Sequence, residues 1–132
     1  MTLEHLGIAV RDLSAATDLY RRLLGADPYK TETVATEKVT TVFFRTGESK
    51  VELLVGTAPD SPISKFIEKK GEGIHHVAFG VADIRAEMAR LRAEGFELLS
   101  EEPKPGADNK LVCFVHPRSA GGVLVELCQE RG

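Results

Sequence analysis

Apolar and polar residues alternate at the start of the chain in the way that predicts a β-strand, and the same pattern returns in the second half. The segment HLGIAVRDL (5–13) aligns with HVAFGVADI (76–84). Each copy begins with a histidine, carries valine and aspartate at matching positions, and leads into apolar residues spaced near the 3.6-residue period of a helix. The chain is therefore predicted to contain an internal duplication.

The helix predicted after each copy has an aspartate at its start and a glycine at its end. Asp12 (or Ser14) and Asp83 are expected to accept hydrogen bonds from the first free amide groups. Gly25 and Gly95 stand where a left-handed residue ends a helix. The residues expected to form the apolar faces are Leu13, Ala16, Leu19, Tyr20 and Leu23 in the first helix, and Ile84, Met88 and Leu91 in the second.

Strand-like sequence follows each helix, so that each half is predicted to be a βαβββ module. These strands lie roughly at 39–45 and 50–55 in the first half, and at 111–115 and 123–128 in the second.

A short amphipathic helix is predicted to link the two modules. Asp60 or Ser61 is its cap, Pro62 occupies the first helical position, and an apolar face follows, formed by Ile63, Phe66 and Ile67. We predict one α+β domain over residues 1–132, in which modules 1–57 and 73–132 are related by a pseudo-twofold axis and joined by linker 58–72.

Composition and charge argue against some classes of partner but do not identify a function. The 132 residues carry a net charge of −3, with both signs scattered along the chain, which argues against nucleic acid or an anionic membrane as a partner. The N-terminus lacks an apolar run of the length that a signal peptide or a membrane span needs, so a cytoplasmic protein is expected. The two cysteines, Cys113 and Cys128, are expected to be buried free thiols.

Alternation along the strands places one histidine and one glutamate from each half on the face away from the helix. In the first half this face carries His5 with Gly7 and Ala9, and a later strand adds Glu52. In the second half it carries His76 with Ala78 and Gly80, together with Glu126. The small residues are expected to leave space for a cavity beside the polar ones.

Two imidazoles and two carboxylates form a ligand set suited to a divalent metal ion. A carboxylate between branched aliphatic residues needs a partner, because an unpaired buried charge is costly. Matching positions in a repeat make coincidence a poor explanation, so His5, Glu52, His76 and Glu126 are predicted to be metal ligands. His75 competes with His76, but strand alternation and the match to His5 favour His76. His116 is interpreted as a loop residue at the substrate mouth.

The blocks that carry these residues resemble the vicinal oxygen chelate superfamily. Within it, DSPISKFIEKKGEGIHHVAF, SEEPKPGA and HPRSAGGVLVEL strongly resemble methylmalonyl-CoA epimerases, and the resemblance extends from residue 3 to about 128. It implies a curved mixed sheet around a metal-binding cup. It also implies interconversion of (2R)- and (2S)-methylmalonyl-CoA in propionyl-CoA metabolism, through an enolate chelated by a divalent ion, typically Co²⁺, with Ni²⁺, Mn²⁺ or Zn²⁺ as alternatives.

The resemblance also implies roles for individual residues. Glu126 matches a glutamate that serves as ligand and base, whereas Thr41 stands where some family members have a second catalytic glutamate, and a hydroxyl is no base near neutral pH. Since inversion needs two acid/base groups, we hypothesise that Glu52 relays the other proton, with Glu37 a less favoured substitute. Basic residues predicted in loops near the strand ends, where they could meet CoA phosphates, are Lys104, Lys110 and Arg118. For each of them taken singly, solvated surface charge is the favoured interpretation.

The resemblance also implies a homodimer.

Other functions remain open at this stage. A glyoxalase-type lyase acting on a glutathione hemithioacetal would use the same ligand types, and a non-catalytic small-molecule-binding protein of the same fold would need no metal. An Fe²⁺ dioxygenase is disfavoured, because such sites usually contain two histidines and one carboxylate.

Overall fold

The computed structural model describes residues 1–132 and contains the predicted alternation of strands and helices. The regular elements, in chain order, are β1 (Thr2–Ala9), α1 (Leu13–Leu24), β2 (Lys30–Val34), β3 (Val39–Thr46), β4 (Ser49–Gly56), α2 (Pro62–Lys70), β5 (Gly73–Gly80), α3 (Ile84–Ala93), β6 (Lys104–Gly106), β7 (Lys110–Val115) and β8 (Val125–Glu130). Short 3-10 helices span Ala35–Glu37 and Pro117–Ser119. No helix has both the length and the apolar character needed to span a membrane.

The chain divides into two compact units. The N-terminal unit is His5–His75, and the C-terminal unit combines Met1–Glu4 with His76–Gly132. Each unit contains elements in βαβββ order, and the N-terminal unit also contains α2, which confirms the predicted α+β class and the duplication.

Four strands of the N-terminal unit pair in the order β2-β3-β4-β1. β1 runs parallel to β4, and the other two pairs are antiparallel. One face of these strands packs against α1, where the buried residues Val42, Phe44 and Leu53 form the core. Burial of such side chains is the main source of stability for the unit.

The opposite face of the N-terminal unit is covered at one end by α2. Ala9 and Leu54 are buried there against Ile63, with Phe66 and Ile67 beside them. The predicted linker helix and its apolar face are confirmed. The prediction of open space at Ala9 is wrong, because α2 fills it; the His5 end of the same face lies away from that cluster.

The C-terminal unit repeats this topology. Its strands pair in the order β5-β8-β7-β6, with β5 parallel to β8 and the other pairs antiparallel. The core lies between α3 and one face of the strands, and its buried residues are Ile84, Met88, Leu91, Cys113, Val115 and Leu127. Cys113 and Cys128 are free and buried, as predicted.

The helix ends follow from the side chains that the sequence supplies. Asp12 and Asp83 accept hydrogen bonds from the amides of Ala15 and Ala86, at 3.0 and 3.1 Å. Ser61, rather than Asp60, caps α2 by accepting from the Ile63 amide, while Asp60 pairs with Lys38. Gly25 adopts the left-handed conformation, with φ 71°, at the end of α1.

Two sequence-based details are wrong. Leu19 and Leu23 are 50% and 69% exposed, because the inner face of α1 is formed by Leu13, Ala16, Tyr20 and Leu24. The last strand begins at Val125 rather than near 123, since Gly121 and Gly122 both have positive φ and hold the chain in a turn.

We expect the substitution Asp83→Ala to destabilise the protein by about 1 kcal/mol, because it removes the acceptor for the first free amides of α3. The melting temperature should fall by roughly 3 to 5 °C, measured by thermal denaturation followed by circular dichroism. Ser14→Ala in α1 is the control, since Asp12 and not Ser14 caps that helix. Equal losses in the two variants would contradict the assignment of the caps.

Candidate active site

In the N-terminal unit, a buried histidine and a buried glutamate meet on the face opposite α1. His5 lies on β1 and Glu52 on β4, and His5 Nδ1 is 3.0 Å from Glu52 Oε2. The strand register places Gly7 directly beside Glu52. Because glycine has no side chain, the Glu52 carboxylate has room to turn toward the imidazole two residues away along β1.

The C-terminal unit contains the corresponding pair. His76 on β5 places Nε2 3.1 Å from Oε1 of Glu126 on β8. The register sets Ala78 beside Glu126. The His76 ring meets the ring of Phe114 edge to face, with centroids 6.1 Å apart, and this contact fixes the orientation of the imidazole.

The two pairs occupy equivalent places in their units. Each glutamate lies between a small residue of a parallel strand and a phenylalanine of an antiparallel one: Gly7 and Phe43 flank Glu52, and Ala78 and Phe114 flank Glu126. The sequence repeat therefore continues into the hydrogen-bonding register of the strands.

These four side chains are between 5 and 7% exposed. Carboxylates buried to this degree require donors, and each has an imidazole nitrogen at hydrogen-bonding distance. No buried side-chain nitrogen or oxygen in the protein lacks a partner. Each unit thus supplies one imidazole nitrogen and one carboxylate oxygen, the ligand types that divalent transition metals prefer.

Other sequence-predicted candidates lie elsewhere. His75 projects to the other side of β5 from His76, and its ring meets Phe66 of α2, with centroids 4.9 Å apart. Glu37 is exposed in the 3-10 helix that precedes β3. His116 begins the loop after β7, where its Nδ1 accepts a hydrogen bond from the Arg118 amide at 3.0 Å.

Thr41 is buried on β3, on the same face as Glu52. It pairs with Leu54 of β4 on one side and with Glu32 of β2 on the other. Thr41 is 3% exposed and lies in the row of Ala9 and Leu54, which α2 covers, and its hydroxyl adds no carboxylate to this face.

The basic residues expected in loops are mostly tied to carboxylates, and two of them begin strands. Lys104 starts β6 and Lys110 starts β7. Burial disfavours the Lys110 ammonium, but its hydrogen bond to Glu130 at 2.8 Å and the charge of Glu4 outweigh this effect and raise its pKa.

Arg118 lies in the 3-10 helix after β7 and hydrogen-bonds Glu97, which holds the pKa of the Glu97 carboxyl below its usual value. Lys104 and Lys110 thus lie in strands and Arg118 in a 3-10 helix, so the prediction that all three are loop cations is wrong.

Three cations on the N-terminal face were missed. Lys50 pairs with His5 in the strand register, Arg45 pairs with Lys50, and Lys30 pairs with Phe43 beside Glu52. Strand alternation from Glu52 was sufficient to find Lys50, whereas Arg45 and Lys30 depend on the register of β2, β3 and β4, which no local pattern gives.

Comparison with known proteins shows which family the chain belongs to. Residues 4–114 match the model of the Glyoxalase/Bleomycin resistance protein/Dioxygenase superfamily. An ethylmalonyl-CoA/methylmalonyl-CoA epimerase of Cereibacter sphaeroides is 43% identical over 129 residues, which cover 96% of each chain. The mitochondrial methylmalonyl-CoA epimerase of Mus musculus is 42% identical over 128 residues, covering 96% of this chain and 72% of its own.

A solved structure agrees with these relatives. A variant of Streptomyces coelicolor methylmalonyl-CoA epimerase, crystallised with 2-nitronate-propionyl-CoA, superposes with a TM-score of 0.93 at 35% identity. The match covers 100% of this chain and 99% of the other.

Proposed function

The chain belongs to the Glyoxalase/Bleomycin resistance protein/Dioxygenase superfamily and, within it, to the methylmalonyl-CoA epimerases, and we propose that it interconverts (2R)- and (2S)-methylmalonyl-CoA. The observation that carries this proposal is the repeated pair of a buried histidine and a buried glutamate, His5 with Glu52 and His76 with Glu126. An isomerase that inverts a carbon needs an acid/base group for each face of that carbon, and a duplicated pair would supply two.

The ligand chemistry fits a divalent metal ion. We assign His5, Glu52, His76 and Glu126 as the residues that would hold it, since they offer two imidazole nitrogens and two carboxylates in buried positions. A bound ion of this kind supplies Lewis acidity that favours loss of a proton next to two carbonyl groups. Cobalt is our first choice, with nickel, manganese and zinc as alternatives.

Proton transfer is assigned to the two glutamates. The acidic carbon of methylmalonyl-CoA lies between a thioester and a carboxylate, so its proton can be removed by a carboxylate base held at one face. Glu126 is proposed to act at one face and Glu52 at the other. The 3.0 and 3.1 Å separations set one imidazole nitrogen beside each carboxylate, which suits two neighbouring ligands of one ion.

Thr41 limits where the second acid/base group can be. Its side chain is a buried hydroxyl on the face that carries Glu52, and a hydroxyl does not remove a proton near neutral pH. Glu37 is exposed and is not proposed as a base. Glu52 is therefore the preferred partner of Glu126.

We expect the purified protein to epimerise methylmalonyl-CoA and to leave methylglyoxal with glutathione unchanged, because its relatives are epimerases of CoA thioesters. The measurement is loss of one epimer in a coupled assay, alongside a spectrophotometric glyoxalase assay. Turnover of the hemithioacetal alone would indicate a glyoxalase-type lyase. Binding of ligands with no turnover of either substrate would indicate a non-catalytic binding protein.

The remaining parts of the proposal concern assembly and location. We propose a cytoplasmic homodimer, as the resemblance to the epimerases implies. Gel filtration with light scattering tests the dimer, and cell fractionation tests the location.

A further inference from the structure

Phe114 lies beside both members of the buried pair in the C-terminal unit, and we propose that it is a positioning residue that sets how tightly the metal ion is held. Its side chain carries no group that binds a metal ion or moves a proton, so its effect passes through His76 and Glu126. The inference rests on the proposed function, since it concerns the ion that these two residues are proposed to hold together with His5 and Glu52.

The strand register brings Phe114 to this pair. Phe114 on β7 is directly paired with Glu126 on β8, and Glu126 is paired on its other side with Ala78 on β5. Directly paired residues of neighbouring strands project to the same face. His76 shares that face, because it lies two residues before Ala78 and side chains alternate along a strand. The Phe114 ring therefore lies on the face that carries both proposed ligands of this unit.

The contact between the two rings has a geometry that aromatic pairs prefer. The ring centroids of Phe114 and His76 are 6.1 Å apart, and the ring planes are inclined by 84°. Edge-to-face rings at this separation attract each other through their quadrupoles, in addition to the apolar area that they bury. The second side-chain torsion of histidine has a broad energy well, so a contact of this kind decides which orientation of the His76 ring is populated.

The orientation that Phe114 favours is the one in which His76 faces the carboxylate. His76 Nε2 lies 3.1 Å from Glu126 Oε1, and both residues are buried. Rotation of the imidazole about its broad torsion would separate these two atoms. Ligands that are ordered before the ion arrives bind it more tightly, because less conformational entropy is lost on binding. Residues that orient metal ligands affect metal affinity for the same reason.

The neighbouring histidine provides an internal comparison. His75 also meets a phenylalanine edge to face, since its ring centroid is 4.9 Å from that of Phe66 on α2 and the planes are inclined by 79°. His75 projects to the other side of β5 and is not among the proposed ligands. Loss of the ring at Phe66 removes the same kind of contact from a histidine that does not hold the ion.

The test is the affinity of the metal-free protein for Co²⁺ without substrate, measured by isothermal titration calorimetry. In Phe114→Leu we expect the Kd for Co²⁺ to rise about threefold to tenfold. Phe66→Leu, the matched control, and Phe114→Tyr, which keeps the ring, should both match the wild type. Differential scanning calorimetry of the metal-free variants shows whether each is folded. Phe114→Met replaces Phe114→Leu if the latter does not fold, since it also lacks the ring.

An unchanged Kd in Phe114→Leu, an equal rise in Phe66→Leu, or an equal rise in Phe114→Tyr would overturn the positioning role. So would a wild-type protein that binds no Co²⁺. The titrations also separate this inference from the proposed function. If Phe114→Leu weakens Co²⁺ binding but the wild type does not epimerise methylmalonyl-CoA, the positioning role stands and the epimerase proposal fails. If the wild type epimerises and Phe114→Leu binds Co²⁺ as tightly, the reverse holds.

Discussion

The variant Glu52→Gln is expected to lose epimerisation by two to four orders of magnitude while still exchanging the α-proton of one epimer with solvent. Glu126 can still remove and return a proton at its own face, so one epimer should gain deuterium in D₂O without inversion. Glu126→Gln should show the same behaviour with the other epimer. The measurement is nuclear magnetic resonance of each pure epimer in D₂O, which follows exchange and inversion separately.

A variant that loses the metal site itself would give a different result, with neither exchange nor inversion. Because both glutamates are also assigned as ligands, elemental analysis must accompany the kinetics, and only variants that retain metal bear on proton transfer. Glu37→Gln serves as the control, since Glu37 is exposed outside the site, and should match the wild type. Full epimerisation by metal-loaded Glu52→Gln would end the assignment of Glu52 as the second acid/base group.

Removal of divalent ions with a chelator is expected to abolish activity and to lower the melting temperature. An ion bound only by the folded state, at a hundred times its Kd, stabilises that state by about 2.7 kcal/mol, or roughly 10 °C for a chain of this size. Re-addition of Co²⁺ should restore both properties. Differential scanning calorimetry gives the stability change independently of any catalytic assay.

Histidine variants identify where the ion is held. His5→Ala and His76→Ala should each abolish the rise in melting temperature on addition of Co²⁺. His75→Ala is the matched control, because its ring lies on the other side of β5 and packs edge to face against Phe66. An undiminished response to Co²⁺ in either of the first two variants would remove that histidine from the ligand set.

Local chemistry made much of the fold predictable. Sequence spacing determines the caps at Asp12 and Asp83 and the start of the linker helix at Pro62, because each depends on contacts within one helical turn. Strand alternation also placed His5 and His76 on the correct faces, because side-chain direction in a strand has a period of two residues. The repeat then joined Glu52 and Glu126 to the same pattern.

Features that depend on pairing between distant segments were not predictable. The positions of Lys30 and Arg45 on the face that carries Glu52 follow from the register of three strands, which the turns and the packed core set together. Lys110 looked like a loop cation, but Glu130 opposite it on β8 anchors it at the start of β7. Leu19 appeared to be part of the core because a helical period does not define the width of the buried stripe.

The two buried thiols provide a measure of motion in one half of the protein. Cys113 lies in the core under α3, and Cys128 directs its sulfur toward the Phe79 carbonyl oxygen at 3.6 Å. An alkylating reagent reaches such groups only after the surrounding segment opens, so the labelling rate gives the frequency of opening. Since both cysteines belong to the C-terminal unit, the labelling time course reports fluctuations around the strand that carries Glu126 without any introduced probe.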